Sequence, residues 1–176
     1  MKYDSTPVTT LITNTQMKTQ HHATPRSRLG EAFDLTWNDK LRVGHSKIDD
    51  MHIEFIDLAN SLLHCTEASA KKCLEELQKH IQEHFDSEKE LMEKSEFPAS
   101  DCHLDEHGKV YEAVSQVKDR FSQGDILLND VHRLAKALID WFPGHIFYMD
   151  SALSTWLSKK NHRGSPLIFQ RPNYKI

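Results

Sequence analysis

Seven side chains of the types that bind metal ions occur in this sequence, most of them at helical spacings. His84 and Glu88 are four residues apart, and His103 and His107 repeat that spacing. Residues four apart in an α-helix project from one face, one turn from each other, so each pair can direct two donor atoms to a common point. The full set is His52, His84, Glu88, His103, His107, His145 and Asp150.

The donor types limit the metals that such a set would hold. Imidazole and carboxylate donors without thiolate favour iron, manganese or zinc over a soft metal such as Cu(I). Seven protein ligands exceed the four that a tetrahedral zinc ion takes, and they suit two six-coordinate ions that share bridging carboxylates. Spacing alone does not choose among the three metals.

Four amphipathic helices are predicted to position these side chains. Apolar or ligand-type residues recur at alternate spacings of three and four, which is typical of the seam of a bundle helix. The four seams are Ile48, His52, Phe55, Ala59 and Leu62; Leu74, Leu77, Ile81, His84, Glu88 and Leu91; His103, His107, Val110, Val114, Val117 and Phe121; and Val131, Leu134, Leu138, Trp141, His145 and Tyr148. Polar ligands are tolerated on buried seams when a metal compensates them.

Short polar connections separate the predicted helices, at residues 66–69, 95–100 and 122–125. Pro98 is expected to end the second helix, and Ser100 or Asp101 to cap the third. Because short connections make neighbouring helices antiparallel, the sequence predicts an all-α fold, an up-down-up-down four-helix bundle.

The bundle is expected to occupy residues 31–158, between a flexible N-terminal extension over residues 1–30 and a C-terminal tail over residues 159–176. Trp37 is expected to pack an N-terminal arm onto the bundle. Residues 151–160 are expected to form a short fifth helix.

Each ligand-type residue also has an ordinary structural interpretation when it is considered alone. A lone histidine on an apolar face, such as His52, is more often a hydrogen-bonded core residue than a ligand. An isolated pair at a spacing of four is more often a solvated surface pair, and His80, four residues before His84, is expected to face solvent. Seven inward-pointing ligand types on four consecutive helices are hard to obtain by chance.

The spacing of His145 and Asp150 is the weakest geometric link in the set. The two residues are five apart, which does not place them on one face of an ideal α-helix. Pro143 and Gly144 stand just before them, so a local bulge or the end of the helix would have to bring Asp150 round.

The segments around these residues resemble the hemerythrin family. The matching segments are IDDMH ending at His52, HFDSEKELM beginning at His84, HLDEH beginning at His103 and WFPGHIFYMD ending at Asp150. The resemblance extends over residues 33–156 and fills all seven ligand positions in order. It implies a centre of two non-haem iron ions, joined by an oxo or hydroxo bridge, that binds dioxygen.

The resemblance also implies a role for each residue. His103, His107 and His145 would hold one iron ion, His52 and His84 would hold the other, and Glu88 and Asp150 would bridge them. The second ion would keep an open position for dioxygen. Phe55, Phe85, Trp141, Phe142 and Ile146 would line an apolar oxygen pocket that excludes water, although each is equally explained by core packing. Pro143, two residues before a ligand, departs from the family's usual pattern.

Three classes of function are compatible with such a centre. The preferred interpretation is a protein without catalytic residues that binds dioxygen reversibly for carriage, storage, delivery or sensing. The alternative is a di-iron enzyme that consumes oxygen, peroxide or nitric oxide. A purely structural metal site is disfavoured, because one metal would be left short of a ligand. Five neutral imidazoles leave more positive charge on the metals than carboxylate-rich bundles do, which favours reversible binding.

The composition of the chain limits the binding partners and the cellular compartment that can be expected for it. The chain has 176 residues and a net charge of −4, which argues against nucleic acid or an anionic membrane as a partner. Cys65, Cys73 and Cys102 are expected to be free thiols in a reducing compartment. With no apolar leader and no membrane-spanning run, a cytoplasmic location is expected. The oligomeric state stays open, as does a protein partner for delivery or signalling.

Overall fold

The structure, a computed structural model, describes residues 33–161 and contains four long helices. These are α1 (Ser46–Leu63), α2 (Glu67–Ser95), α3 (Ser100–Gln123) and α4 (Leu128–His145). A short 3-10 turn, Asp39–Leu41, precedes α1. After α4 the chain continues through a π-helical turn, Ile146–Asp150, directly into α5 (Ser151–Asn161). The predicted extension of residues 1–30 and most of the predicted tail lie outside the described residues.

The four long helices form the predicted bundle. Each is joined to the next by a short connection, and α1 packs against both α2 and α4, while α3 packs against α2 and less closely against α4. Seam residues such as Phe55, Leu62, Leu77 and Leu138 are at most 1% exposed. Burying a side chain of this kind stabilises the fold by about 1.5–3 kcal/mol. The all-α prediction is therefore confirmed.

Some of the predicted seams and connections are wrong in detail. Residues 66–69 do not form a connection: α2 begins at Glu67, and the backbone N–H of Thr66 donates to Ser69 Oγ over 2.9 Å. Leu91 is half-buried, while its neighbour Met92 is fully buried in the core. Tyr148 is 56% exposed rather than on the seam, because the π-helical turn shifts the helical phase.

The boundary between α2 and α3 also differs from the prediction. The second helix ends at Ser95, before Pro98, because Glu96 takes a left-handed conformation with φ 55°. Ser100 is the first residue of α3 and does not cap it; its hydroxyl donates to the carbonyl oxygen of Phe97 over 2.5 Å.

The arm before α1 is fastened to the bundle at two points. The Asn60 side chain accepts from the backbone N–H of Leu35 at 3.1 Å and donates to its carbonyl oxygen at 2.8 Å. The Asp49 carboxylate accepts from the backbone N–H groups of Val43 and Gly44 at 2.8 and 3.1 Å. Gly44 has φ 83°, a conformation that favours glycine. Between these points Trp37 packs against the core, as expected.

A second, smaller core holds α5 in place. Ile48, Met92, Phe97, Leu153 and Leu157 are buried together where the ends of α2 and α5 meet. The Trp156 indole N–H donates to the carbonyl oxygen of Ser95 over 3.0 Å. Because α5 is anchored in this way, the π-helical turn before it is held between two fixed helices. None of the helices within residues 33–161 is long and apolar enough to cross a lipid bilayer.

Candidate metal centre

The structure brings all seven predicted ligand residues together inside the bundle, where none is more than 3% exposed. They come from every long helix and from the π-helical turn. His52 lies on α1, the pair His84 and Glu88 on α2, and the pair His103 and His107 on α3. His145 ends α4, and Asp150 ends the turn that follows.

The π-helical turn explains the five-residue spacing of His145 and Asp150. The backbone N–H of Ser151 donates to the carbonyl oxygen of Ile146, five residues earlier. Five residues therefore make about one turn here, and Asp150 Oδ1 lies 3.2 Å from His145 Nε2. Pro143 lies inside α4 and has no N–H to donate, which loosens the helix just before this turn. A local bulge was one of the two geometries that the sequence required.

The carboxylate of Glu88 faces two groups of histidines. Its Oε1 atom lies 3.3 Å from His84 Nε2. Its Oε2 atom lies 3.5 Å from His103 Nε2 and 3.3 Å from His107 Nε2. One oxygen therefore faces each group, which is the arrangement that a carboxylate bridging two metal ions requires.

The two oxygens of the Asp150 carboxylate also face different histidines. Its Oδ2 atom lies 3.1 Å from His52 Nε2. Its Oδ1 atom lies 3.1 Å from His103 Nε2 and 3.2 Å from His145 Nε2. The two carboxylates thus separate a three-histidine group (His103, His107 and His145) from a two-histidine group (His52 and His84).

The positions of the donor atoms suit coordination of metal ions better than hydrogen bonding among the side chains themselves. Within each of two clusters, all donor atoms lie within 4.8 Å of each other, and Glu88 belongs to both clusters. The clusters are Glu88, His103, His107, His145 and Asp150, and His52, His84 and Glu88. Within residues 33–161, both oxygens of Asp150 and Nε2 of His52 lie 3.1–3.2 Å from potential partners, but none of these contacts has the geometry of a hydrogen bond. An unsatisfied buried polar atom costs about 1–3 kcal/mol, and coordination would remove that cost.

Charge interactions within the metal-free site move several pKa values. Burial alone would lower the pKa of His145, but Asp150 and Glu106 help to raise it to about 10. Burial would raise the pKa of Asp150, but the surrounding imidazoles, His145 first, hold it well below its usual range. Burial and repulsion from His145 hold the pKa of His107 far below its usual value. The metal-free site therefore contains a His145–Asp150 ion pair.

The pKa of His145 makes metal binding dependent on pH. At neutral pH the metal-free protein carries a proton on His145 that a metal ion must displace, so we expect the apparent affinity to rise about tenfold per pH unit below pH 10. In the metal-free fold the same pairing stabilises the protein below pH 6.5 and is lost as the pH rises through about 10. Competition titrations with Co²⁺ between about pH 6.5 and about pH 8.5 measure the slope. A pH-independent affinity would contradict this ionisation state.

Aromatic rings cover the two-histidine group on the side of α1 and α4. Phe55 and Phe142 pack with their ring centroids 4.0 Å apart. Phe142 meets the His52 ring edge-on, with a centroid distance of 5.2 Å. Ile146 is buried in the same core cluster, and Trp37 of the arm lies 6.4 Å from His52 by ring centroids. The surroundings of this group are therefore apolar.

The other two predicted pocket residues contact the three-histidine group, and Phe85 also lies 5.7 Å from His84 of the two-histidine group by ring centroids. Phe85 stacks on His107 with a centroid distance of 3.7 Å and an interplanar angle of 5°. Trp141 lies over His145, with centroids 4.5 Å apart. These two rings hold ligand imidazoles in place from outside the cluster.

His80 is placed differently from the prediction, which had it facing solvent. Its side chain is buried between α2 and α1, with 6% of the residue exposed. Its Nε2 lies 3.1 Å from the carbonyl oxygen of Met51, and its Nδ1 lies 3.4 Å from Glu54. The ring packs 5.8 Å from that of His84. The prediction was wrong because a carbonyl at the edge of α1 offers His80 a partner that its position on α2 does not reveal.

Because His80 links two helices, we expect His80→Ala to lower the free energy of unfolding of the metal-free protein by about 1–3 kcal/mol. Metal content should stay at the wild-type level, since His80 is not among the converging donors. Urea unfolding measures the stability, and Lys79→Ala, on the exposed face of the same turn, is the matched control. Equal unfolding free energies for the two variants would show that the His80 contacts contribute nothing.

One residue that contacts the site was not predicted from the sequence. Glu106 Oε1 accepts a hydrogen bond from the Trp141 indole N–H at 2.7 Å and lies 3.7 Å from His145 Nδ1. Its position immediately before His107 was the available signal, and it is a weak one, because Gly108, immediately after His107, is exposed.

The fold and the site define a class of protein: a four-helix bundle with a buried histidine–carboxylate cluster suited to metal ions. Residues 43–157 match the hemerythrin HHE cation binding domain. The bacteriohemerythrin of Ralstonia nicotianae is 32% identical over 126 residues, covering 72% of this chain and 90% of that protein. The bacteriohemerythrin of Aquifex aeolicus is 27% identical over 124 residues, covering 68% and 95%.

A crystal structure of a hemerythrin mutant has the same fold. It superposes with a TM-score of 0.66 at 24% sequence identity, covering 70% of this chain and 97% of that one. The chain belongs to the hemerythrin family.

Proposed function

We propose that this chain is a non-haem di-iron protein that binds dioxygen reversibly, for carriage, storage, delivery or sensing. The observation that carries the proposal is that the two oxygens of each of two carboxylates face different groups of histidines. Glu88 and Asp150 each direct one oxygen to the three-histidine group and the other to the two-histidine group. Two ions held side by side use all seven side chains, whereas one ion could not.

The two groups would hold their ions unequally. Three imidazoles and two carboxylates would supply five protein donors to one ion. The other would receive donors from His52, His84 and Glu88, and a fourth from Asp150, whose Oδ2 lies 3.1 Å from His52 Nε2. The three-histidine group would therefore give its ion more protein donors than the two-histidine group gives the other, and the second ion would keep a position free. When bound, the iron ions supply the electrons that dioxygen binding requires, and the incomplete ion has the position for it.

The residues around the two-histidine group support binding rather than turnover. Phe55 and Phe142 are each 1% exposed and cover His52 with apolar surface. Such a wall excludes water from the open position and slows the loss of a bound oxygen species.

The ligand set also favours reversibility. Five neutral imidazoles and two carboxylates leave the metals more positively charged than the carboxylate-rich sets of ferritin-like bundles, and that charge disfavours further oxidation of the iron. The alternative is an enzyme that consumes oxygen, peroxide or nitric oxide at the same centre. It differs from the proposed function in the lifetime of the oxygenated protein, so one experiment separates the two.

The experiment is an oxygen cycle on the full chain loaded with ferrous iron. We expect charge-transfer absorption to appear with oxygen and to disappear when oxygen is removed, over repeated cycles. His52→Ala should abolish the reversible change, whereas His132→Ala, which removes a histidine bonded to the Cys65 carbonyl oxygen far from the centre, should preserve it. Irreversible oxidation within seconds would refute reversible binding, and sustained turnover with an electron donor would in addition establish the enzyme.

A further inference from the structure

Glu106 on α3 contacts the three-histidine group without belonging to it. Its Oε1 atom lies 3.7 Å from His145 Nδ1, the nitrogen on the far side of the ring from Glu88 and Asp150. This is an ion-pair separation, slightly longer than a hydrogen bond. The Glu106 side chain is 30% exposed, so it reaches this position from the edge of the bundle.

The indole of Trp141 fixes the position of this carboxylate. Its N–H donates to the same Oε1 atom at 2.7 Å. The Trp141 ring also lies 4.5 Å from the His145 ring, at an interplanar angle of 32°. Since Trp141 and His145 are one turn apart on α4, the three side chains form a closed triangle between α3 and α4.

This contact makes His145 different from the other four histidines. Within residues 33–161, the Nδ1 atoms of all five histidines are buried and make no hydrogen bond, so His145 differs only by the carboxylate that lies 3.7 Å from its Nδ1. His145 is the one histidine of the five whose Nδ1 faces a carboxylate in the described part of the chain. A carboxylate behind a ligand imidazole fixes its orientation, keeps a proton on the outer nitrogen and increases the basicity of the inner one.

We propose that Glu106 is a positioning residue for His145, which orients its imidazole and makes the metal ion of the three-histidine group more electron-rich than its neighbour. The inference rests on the proposed function in taking two metal ions to be bound and Nε2 to be the ligand nitrogen of His145, and it does not depend on dioxygen binding. It adds a built-in asymmetry: the three-histidine group, which offers more protein donors than the two-histidine group, also has the additional negative charge of Glu106 behind it.

The test compares Glu106→Gln with Glu112→Gln. Both substitutions remove one negative charge from α3, but Glu112 is exposed and contacts Gln116, at 2.9 Å. Stepwise titration of the metal-free protein with Co²⁺, against a competing chelator, measures both binding steps. We expect Glu106→Gln to weaken one step roughly 10- to 100-fold and to leave the other within about twofold. Glu112→Gln should leave both steps unchanged.

A second arm separates positioning from stability. Trp141→Phe keeps the ring over His145 but removes the N–H that holds Glu106, so we expect a smaller loss in the same binding step. Glu106→Asp retains the charge and should recover part of the affinity. Urea unfolding of the metal-free variants should give similar free energies, because Glu106 is partly exposed.

The inference is overturned if Glu106→Gln and Glu112→Gln bind Co²⁺ alike. It is also overturned if Glu106→Gln lowers the stability of the metal-free protein and weakens both steps equally, because that pattern indicates a structural role. A wild-type protein that binds two metal ions but does not bind oxygen reversibly would contradict the proposed function. The Co²⁺ comparison would still decide the role of Glu106 in that case.

Discussion

Replacing Asp150 with alanine is expected to reduce the bound metal from the proposed two ions per chain to one or fewer. The reason is geometric: Oδ2 is directed to His52 and Oδ1 to His103 and His145, so a single substitution removes one donor from each ion. Both affinities should therefore fall, and the loss should exceed that caused by any substitution outside the ligand set. Elemental analysis of the purified variant, loaded with ferrous iron and desalted, measures the effect.

Two further variants make the Asp150 result specific. Asp150→Asn preserves the volume of the side chain and should also lose metal, because an amide is a poor bridging ligand. Asp140→Ala removes an exposed carboxylate from α4 and should retain both ions. If Asp150→Ala kept two ions per chain, the placement of Asp150 as a bridge would be incorrect.

Deleting Phe147 is expected to preserve the fold while weakening metal binding roughly 10- to 100-fold. A π-helical turn is in effect one residue inserted into an α-helix. Removing one residue from Ile146–Asp150 would leave His145 and the aspartate four apart, and α5 would keep its register with α4. The carboxylate would remain one turn after His145, but its oxygens would no longer be divided between the two groups of histidines.

The matched control deletes Asp140 from the regular part of α4. That deletion rotates the two halves of the helix by about 100° relative to each other, because no spare residue is available there. Leu138 and Phe142 could then no longer face the core together, and the loss of such contacts, at about 2–5 kcal/mol each, would unfold the domain. Circular dichroism during thermal unfolding measures both variants. An unfolded Phe147 deletion would show that the extra residue is structurally required.

The helices and the ligand residues could be predicted because both follow from spacing along the chain. Pairs such as His84 and Glu88 need only one helix, and that helix is marked by its own apolar seam. The spacing of His145 and Asp150 required a bulge or a helix end, without indicating which. The π-helical turn depends on α5 being anchored by Leu153, a contact between distant segments that local periodicity does not contain.

The residues that were missed depend on contacts between helices. His80 has a helical spacing to His84, but its burial depends on the Met51 carbonyl oxygen of α1. Glu106 lies beside a predicted ligand, but its role depends on Trp141 of α4. Spacing predicts which face of a helix a residue occupies; it does not predict which atoms of the neighbouring helix it meets.

The metal content of the full chain, purified from cells grown with iron and analysed by elemental analysis, tests the central claim most directly. Two groups of histidines that share two carboxylates predict about two iron ions per chain, with His103→Ala losing metal and His80→Ala retaining it. A chain that purifies with a single zinc ion and no iron, under the same conditions, would contradict the account.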